Sequence, residues 1–168
     1  MEKTSGYSLW LMPSGDVRDQ LSAIIRSLSK AHNTLVFEPH VTLLGGLQEK
    51  ESGIIARTKK LAEVLQPLTI RLNRIEYGAE YFRCLYYIVE KTTEVLNAYA
   101  RVCDIFRVSQ GQFVPHMSLM YGDIPHAAKE EAAAKIKLHT NTFTIEHVDL
   151  VLTDGTVEDW RKVQRFAL

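Results

Sequence analysis

The feature that most constrains this chain is that it repeats itself. Residues 37–46 read Phe-Glu-Pro-His-Val-Thr-Leu-Leu-Gly-Gly, and residues 113–122 read Phe-Val-Pro-His-Met-Ser-Leu-Met-Tyr-Gly. Aligned without gaps, the segments share Phe, Pro, His, Leu and Gly, and each has a hydroxyl residue two places after its histidine. From His40 to His116 the offset is 76, close to half of the 168 residues. Repetition of a structural unit leaves this kind of trace. Two copies point to a duplicated lobe and not to a solenoid.

In an extended strand, residues i and i+2 point to the same face. His40 therefore shares a face with Thr42, and His116 with Ser118, while Val41, Leu43, Met117 and Leu119 point the other way. Each strand offers an imidazole and a hydroxyl in front and an apolar back for a core. If the two lobes face each other about a pseudo-twofold axis, the cleft between them holds two histidines and two hydroxyls.

That set suits hydrolysis of a cyclic phosphodiester. Water must lose a proton as it attacks phosphorus, and the leaving ribose oxygen must gain one on the opposite side. Neutral imidazole can do the first and imidazolium the second, because the reference pKa of about 6.5 lies near working pH. Proton transfer of this kind contributes about 10²- to 10⁴-fold in rate. The Thr42 and Ser118 hydroxyls can donate to the non-bridging oxygens, where charge builds in the transition state. The scheme needs no metal and no other cofactor.

A lone histidine beside a strand is more often structural, but the repeated Pro-His-x-Thr/Ser context is hard to explain that way. Zinc wants three or four ligands, and neither carboxylates nor cysteines cluster with His40 or His116. Ser118 sits two places from His116 on one strand, which suits side-by-side phosphate contacts better than nucleophilic attack. His32, His126, His139 and His147 have no repeated context and read as surface or structural. Arg83 and Lys91 could assist phosphate binding, but nothing in the sequence singles them out.

Formal net charge is zero, with 20 basic and 20 acidic side chains. Long nucleic acid usually requires a basic stripe that releases many counterions, and none is present. The densest basic stretch, Arg57-Thr58-Lys59-Lys60, reads as the wet side of a helix. A small phosphate-bearing ligand stays open. Hydrophobic residues make up 46% and charged residues 24%, ordinary for a globular protein with a sizeable core. Cys84 and Cys103 form no CxxC pair and read as buried free thiols, although a disulfide is not excluded by sequence. The first residues carry no signal-peptide core, and no run of 18 apolar residues occurs. The expectation is an intracellular soluble monomer, cytoplasmic or nuclear, with no membrane or long nucleic-acid partner.

The periodicity predicts strands over Tyr7–Met12, Val41–Leu44, Leu68–Tyr77, Tyr81–Val89, Val114–Tyr121, Phe143–Leu152 and Lys162–Leu168. Helices are predicted from Asp16 to about His32, over Ile54–Leu65, after a Thr92 or Thr93 cap, and over Pro125–Leu138. Gly45-Gly46 should close the second strand, and Gly78-Ala79-Glu80 should turn a hairpin. A slip in alternation at Arg74 hints at a bulge. Strands and helices alternate, but hairpin neighbours argue against a purely parallel sheet. The fold class is α+β with antiparallel sheets.

Two His-x-Thr/Ser motifs, one in each half of a chain of this size, resemble the 2H phosphoesterase superfamily. Within it, Phe37-Glu38-Pro39-His40-Val41-Thr42 and Leu9-Trp10-Leu11-Met12-Pro13 look like the plant and fungal cyclic phosphodiesterases. The resemblance implies one bilobal domain over residues 1–168. It would have two pseudo-symmetric lobes, each an antiparallel sheet with outer helices, and an active cleft between the sheets. It implies hydrolysis of ADP-ribose 1″,2″-cyclic phosphate, a compound that arises downstream of tRNA splicing, and of nucleoside 2′,3′-cyclic phosphates. It makes His40 and His116 the acid/base pair and Thr42 and Ser118 the phosphate binders. It also assigns Tyr121 and Trp10 to the nucleotide end of the cleft. Strict alternation from Ser118 turns Tyr121 away from the cleft, so its assignment demands a bend before Gly122. Trp10 is out of phase with Leu9 and Leu11 and can face the cleft.

Overall fold

Eight strands and four α-helices make up residues 2–168, the part of the chain that the computed structural model describes. The strands are β1 (Tyr7–Leu11), β2 (Val41–Leu47), β3 (Leu68–Tyr77), β4 (Leu85–Val89), β5 (His116–Met120), β6 (Thr142–Ile145), β7 (His147–Leu152) and β8 (Arg161–Ala167). The helices are α1 (Gly15–His32), α2 (Glu51–Val64), α3 (Thr93–Phe106) and α4 (His126–Lys135). The class is α+β, as the sequence predicts.

The strands follow the order β6-β3-β4-β5-β2-β1-β7-β8, and every pairing is antiparallel. Two four-stranded halves meet at one ladder pair, Val41 with Met117. A twofold operation through that pair exchanges β2 with β5, β1 with β4, β7 with β3 and β8 with β6. The helices cross the seam: α1 packs on β5 and α3 on β2. Glu146 alone separates β6 from β7, although β6 lies at one end of the order and β7 is next to the other end. The sheet must therefore curl until its ends come together.

The helices cover one face. Val41, Leu43, Met117 and Leu119 point into this layer and are at most 1% exposed. Burying each such side chain contributes about 1.5–3 kcal/mol before ordering costs. Alternation then forces His40, Thr42, His116 and Ser118 to the other face, away from the helices. Helix α3 starts at Thr92, whose hydroxyl accepts from the Val95 amide at 3.3 Å. The register shift between Leu72 and Ile75 is the bulge anticipated at Arg74.

Several boundaries differ from the sequence reading. Strand β2 runs through Gly45-Gly46 to Leu47, because Gly46 takes φ +72 and the β1–β2 ladder absorbs the irregularity as register shifts. The segment from Tyr81 begins as a 3₁₀ turn, Tyr81–Arg83, and becomes strand only at Leu85. The Gly78 amide donates to the Cys84 carbonyl, so the turn is longer than three residues. The stretch 143–152 is two strands, split where the chain changes ends of the sheet. Helix α4 stops at Lys135, three residues short of the predicted end. Thr58 lies buried within the basic run and donates to the Ile54 carbonyl at 2.8 Å. Cys84 and Cys103 are buried free thiols. Among the described residues, no helix is long and apolar enough to cross a membrane.

Candidate active site

On the face opposite the helices, the seam opens into a cleft of about 520 Å³, inside the range of roughly 300–1,000 Å³ usual for small-molecule sites. His40, Thr42, His116 and Ser118 all line it, as do Trp10 and Tyr121. The register explains the convergence. With Val41 opposite Met117, antiparallel pairing sets His40 across from Ser118 and His116 across from Thr42. Each imidazole thus faces the other copy's hydroxyl.

The two rings are held in the same way. His40 Nδ1 lies 2.7 Å from the Glu38 carbonyl oxygen, and His116 Nδ1 lies 2.8 Å from that of Val114. A carbonyl only accepts, so Nδ1 must carry the proton in both rings. Each neutral ring therefore keeps its lone pair on Nε2, the nitrogen left for a ligand. The carbonyl belongs to residue i−2 in each copy, and Pro39 and Pro115 sit between donor and acceptor. Proline's fixed φ and missing N–H hold that segment extended and leave the carbonyl to the ring.

The environments are less symmetric than the contacts. Burial pushes the His40 pKa down to about 4; the bond to Glu38 opposes this, and the His116 charge adds to it. Burial also lowers His116, against support from the Val114 carbonyl; Arg83 lowers it further and Glu80 raises it. His40 is the more enclosed ring, at 7% exposure, and His116 is half-buried. The Ser118 hydroxyl donates to the Phe82 carbonyl at 2.9 Å. Among the described residues the Thr42 hydroxyl has no protein partner.

Trp10 stacks on His40 with ring centroids 3.6 Å apart and planes 9° from parallel. Tyr121 reaches the cleft because β5 ends at Met120, which frees it from alternation. Gly122 follows at φ +138 and supplies the bend. Tyr121 stacks on Phe37 at 3.7 Å, and Phe37 in turn sets its edge against His40. Both aromatics therefore wall the cleft, but Trp10 is 6% and Tyr121 3% exposed. One face of each is already covered by protein. Among the described residues, no three His, Cys, Asp or Glu side chains group as a metal site.

Residues 5–168 match the family described as cyclic phosphodiesterase-like protein. The chain belongs to that family. A cyclic phosphodiesterase of Arabidopsis thaliana is 24% identical to this cyclic phosphodiesterase-like chain, over 96% of it and 94% of the relative. A 2′,3′-cyclic-nucleotide 3′-phosphodiesterase of Yarrowia lipolytica is 34% identical over 58% of the chain and 49% of that protein. Among solved structures, apo LigT of E. coli superposes with a TM-score of 0.68 at 13% identity, covering 99% of both chains. TT0787 of Thermus thermophilus gives 0.61 at 18% identity, covering 97% of both. The fold is that of the 2H phosphoesterases. Family and fold together support phosphodiester hydrolysis.

Around the cyclic phosphodiesterase-like cleft, motif reading missed several residues, of which Tyr86 supports a lining residue without lining the cleft itself. Tyr86 sets its ring against His116, with centroids 5.4 Å apart and planes at 68°. It pairs with Ser118 across β4–β5, as Trp10 pairs with Thr42 across β1–β2. Trp10 and Tyr86 are 76 positions apart, the same offset as the histidines. Extending the repeat to Leu9-Trp10-Leu11 and Leu85-Tyr86-Tyr87 would have found this second aromatic. Trp160, Arg83 and Glu80 line the cleft without a repeated partner, so no sequence signal pointed to them. Lys91 is not among the lining residues.

Proposed function

We propose that this chain, as one bilobal domain over residues 1–168, hydrolyses small cyclic phosphodiesters without a metal. ADP-ribose 1″,2″-cyclic phosphate would give the 1″-phosphate, and nucleoside 2′,3′-cyclic phosphates would give 2′-phosphates. The observation that carries this reading is the matched pair of imidazoles. Both rings line one cleft, both give Nδ1–H to the carbonyl two residues back, and both keep Nε2 for a ligand.

His40 is the base in this reading. Its burial keeps it neutral at working pH, and its stack on Trp10 fixes the ring plane. Its Nε2 takes the proton from water as water attacks phosphorus. His116 is the acid. It is the less enclosed ring; burial and Arg83 lower its pKa against the Val114 carbonyl and Glu80, and a bound phosphodiester anion favours its cation. Its Nε2 gives a proton to the departing ribose oxygen, so the products are a phosphomonoester and a free hydroxyl. Thr42 has a hydroxyl free to donate to a non-bridging oxygen, and Ser118 can turn from the Phe82 carbonyl to the other. Trp10 and Tyr121 wall the end of the cleft that receives the nucleotide. The protein works on these small ligands as a monomer, in the cytoplasm or nucleus.

Product analysis by phosphorus NMR on ADP-ribose 1″,2″-cyclic phosphate and 2′,3′-cyclic AMP tests this. The expected result is one phosphomonoester from each, with activity surviving EDTA. His40→Ala and His116→Ala should each lower kcat by about 10²- to 10⁴-fold with the fold intact by circular dichroism. Full activity in either variant would overturn the two-histidine scheme.

A further inference from the structure

We propose that Arg83 forms a subsite for a second phosphate group on the substrate, next to the ring that handles the leaving oxygen. The inference rests on the reading above, because it takes the histidines to hold the first phosphate. It adds a preference for substrates that carry another phosphate beyond the cyclic one.

Charge in the cleft is lopsided. Among the described side chains that line it, the histidines apart, Glu80 and Arg83 are the charged ones, and both come from the turn before β4. The 76-residue offset pairs Glu80 with Thr4 and Arg83 with Tyr7. The matching end of the other half is thus built from hydroxyls: Thr4, Ser5, Ser8 and Thr153. One formal cation at one end of a pseudo-symmetric site makes the two ends chemically different. It falls on the His116 side, where both Arg83 and Glu80 act on that ring.

Arg83 is positioned to meet an anion without being consumed by the protein. Its Nε donates to Glu80 Oε2 at 3.0 Å and its Nη2 to Glu80 Oε1. A guanidinium has five N–H donors in a fixed fork, so three stay without a partner among the described residues. Its side chain is 30% exposed, partly shielded and facing the cleft, while Glu80 is 66% exposed. Glu80 is therefore well hydrated and readily released, and an i,i+3 pair this open contributes little. Phosphate offers the same bidentate geometry with more charge, and guanidinium–phosphate pairs are among the strong charge-assisted contacts. Glu80 holds the fork in orientation when the cleft is empty and yields it to a phosphate.

The chemistry makes this discriminating. A plain nucleoside cyclic phosphate carries one negative charge, which sits between the histidines. A ligand with a further phosphate or diphosphate on the same ribose has an anion left over. Arg83 is the lining side chain able to neutralise it.

The test compares a matched pair of probes, 2′,3′-cyclic AMP and the same nucleotide with an added 5′-phosphate. The wild-type protein should favour the 5′-phosphorylated probe in kcat/KM, chiefly through KM, by about 10- to 100-fold. In Arg83→Gln the ratio between the two probes should fall towards one, and in Glu80→Gln it should rise. A ratio unmoved in Arg83→Gln, or an equal loss on both probes, overturns the subsite. Calorimetric binding of adenosine 2′-phosphate and adenosine 2′,5′-bisphosphate gives the same ratio without turnover. If the wild-type protein hydrolyses neither probe, the proposed activity on nucleoside 2′,3′-cyclic phosphates fails. The binding ratio in wild type and Arg83→Gln then decides the subsite on its own, and equal binding of the two ligands overturns it.

Discussion

At the scale of single residues, the cleft shows how one motif can serve opposite ends of a reaction. His40 and His116 have the same partner atom, the same tautomer and the same flanking proline. What separates them is water and neighbouring charge. His40 lies under Trp10 and is nearly dry, which holds its pKa at about 4. His116 lies beside Glu80 and Arg83, and its pKa is below the ordinary value by burial first. In the free enzyme both limbs of the pH profile should therefore fall on the acid side of 6.5. We expect a bell-shaped kcat/KM with its acid limb near pH 4, set by loss of the neutral His40, and its alkaline limb set by loss of the His116 proton. Stopped-flow or steady-state assays from about pH 3.5 to 8 would check this. A plateau that extends unchanged past about pH 8 would refute the assignment of His116 as acid.

At the scale of elements, local chemistry sets most starts and stops. Thr92 begins α3 because its hydroxyl meets an amide that has no helical partner. Thr92→Ala should cost about 0.5–2 kcal/mol, read as a lower urea midpoint, with kcat/KM unchanged because α3 packs on the face away from the cleft. The Leu68–Tyr77 strand and its bulge are also legible, since a broken alternation forces an extra residue into one strand. Other elements mislead for a physical reason. The run 143–152 looks like one strand because both halves are apolar in alternation. Only the pairing of β6 with β3 and of β7 with β1 breaks it at Glu146. Gly45-Gly46 looks like a stop because glycine favours turns, yet β1 continues to pair with β2 past them, from Leu44 to Leu47. Tyr121 is the sharpest case. Strict alternation would turn it from the cleft, and the end of β5 at Met120 sets it free.

At the scale of the whole molecule, the site exists because two half-sheets touch at one pair, Val41 with Met117, and part on either side. That arrangement stores an imidazole in a poorly hydrated place, and stability must feel it. The His40 pKa is about 4 in the folded state against an ordinary value of 6.5. Between those values the unfolded chain binds the extra proton, so stability rises with pH there. The contribution is full above pH 6.5 and is lost as pH falls towards 4. Its total is roughly 3 kcal/mol, at about 1.36 kcal/mol per pH unit. Urea titrations at about pH 7, 5.5 and 4.5 should show a falling midpoint, and His40→Ala should flatten part of that slope. An equal slope in both proteins would mean that other groups carry it. The Asp149 carboxylate, fully buried between Arg165 and Lys162, adds acid sensitivity only lower down. Burial works to raise its pKa, and the bonds from those two side chains still hold it below the carboxylate range.

The duplication, the two imidazole–hydroxyl pairs, the apolar backs of their strands and the α+β class are all written in the order of residues alone. Each is a matter of spacing along one strand or helix, where covalent geometry fixes which residues share a face. That order does not reveal that His40 stacks on Trp10, that Tyr86 answers it across the twofold, or that Arg83 stands at one end of the cleft. Those depend on which strands become neighbours and how far the sheet curls. Neighbours are chosen by burial summed over the whole chain, and no local pattern encodes that sum.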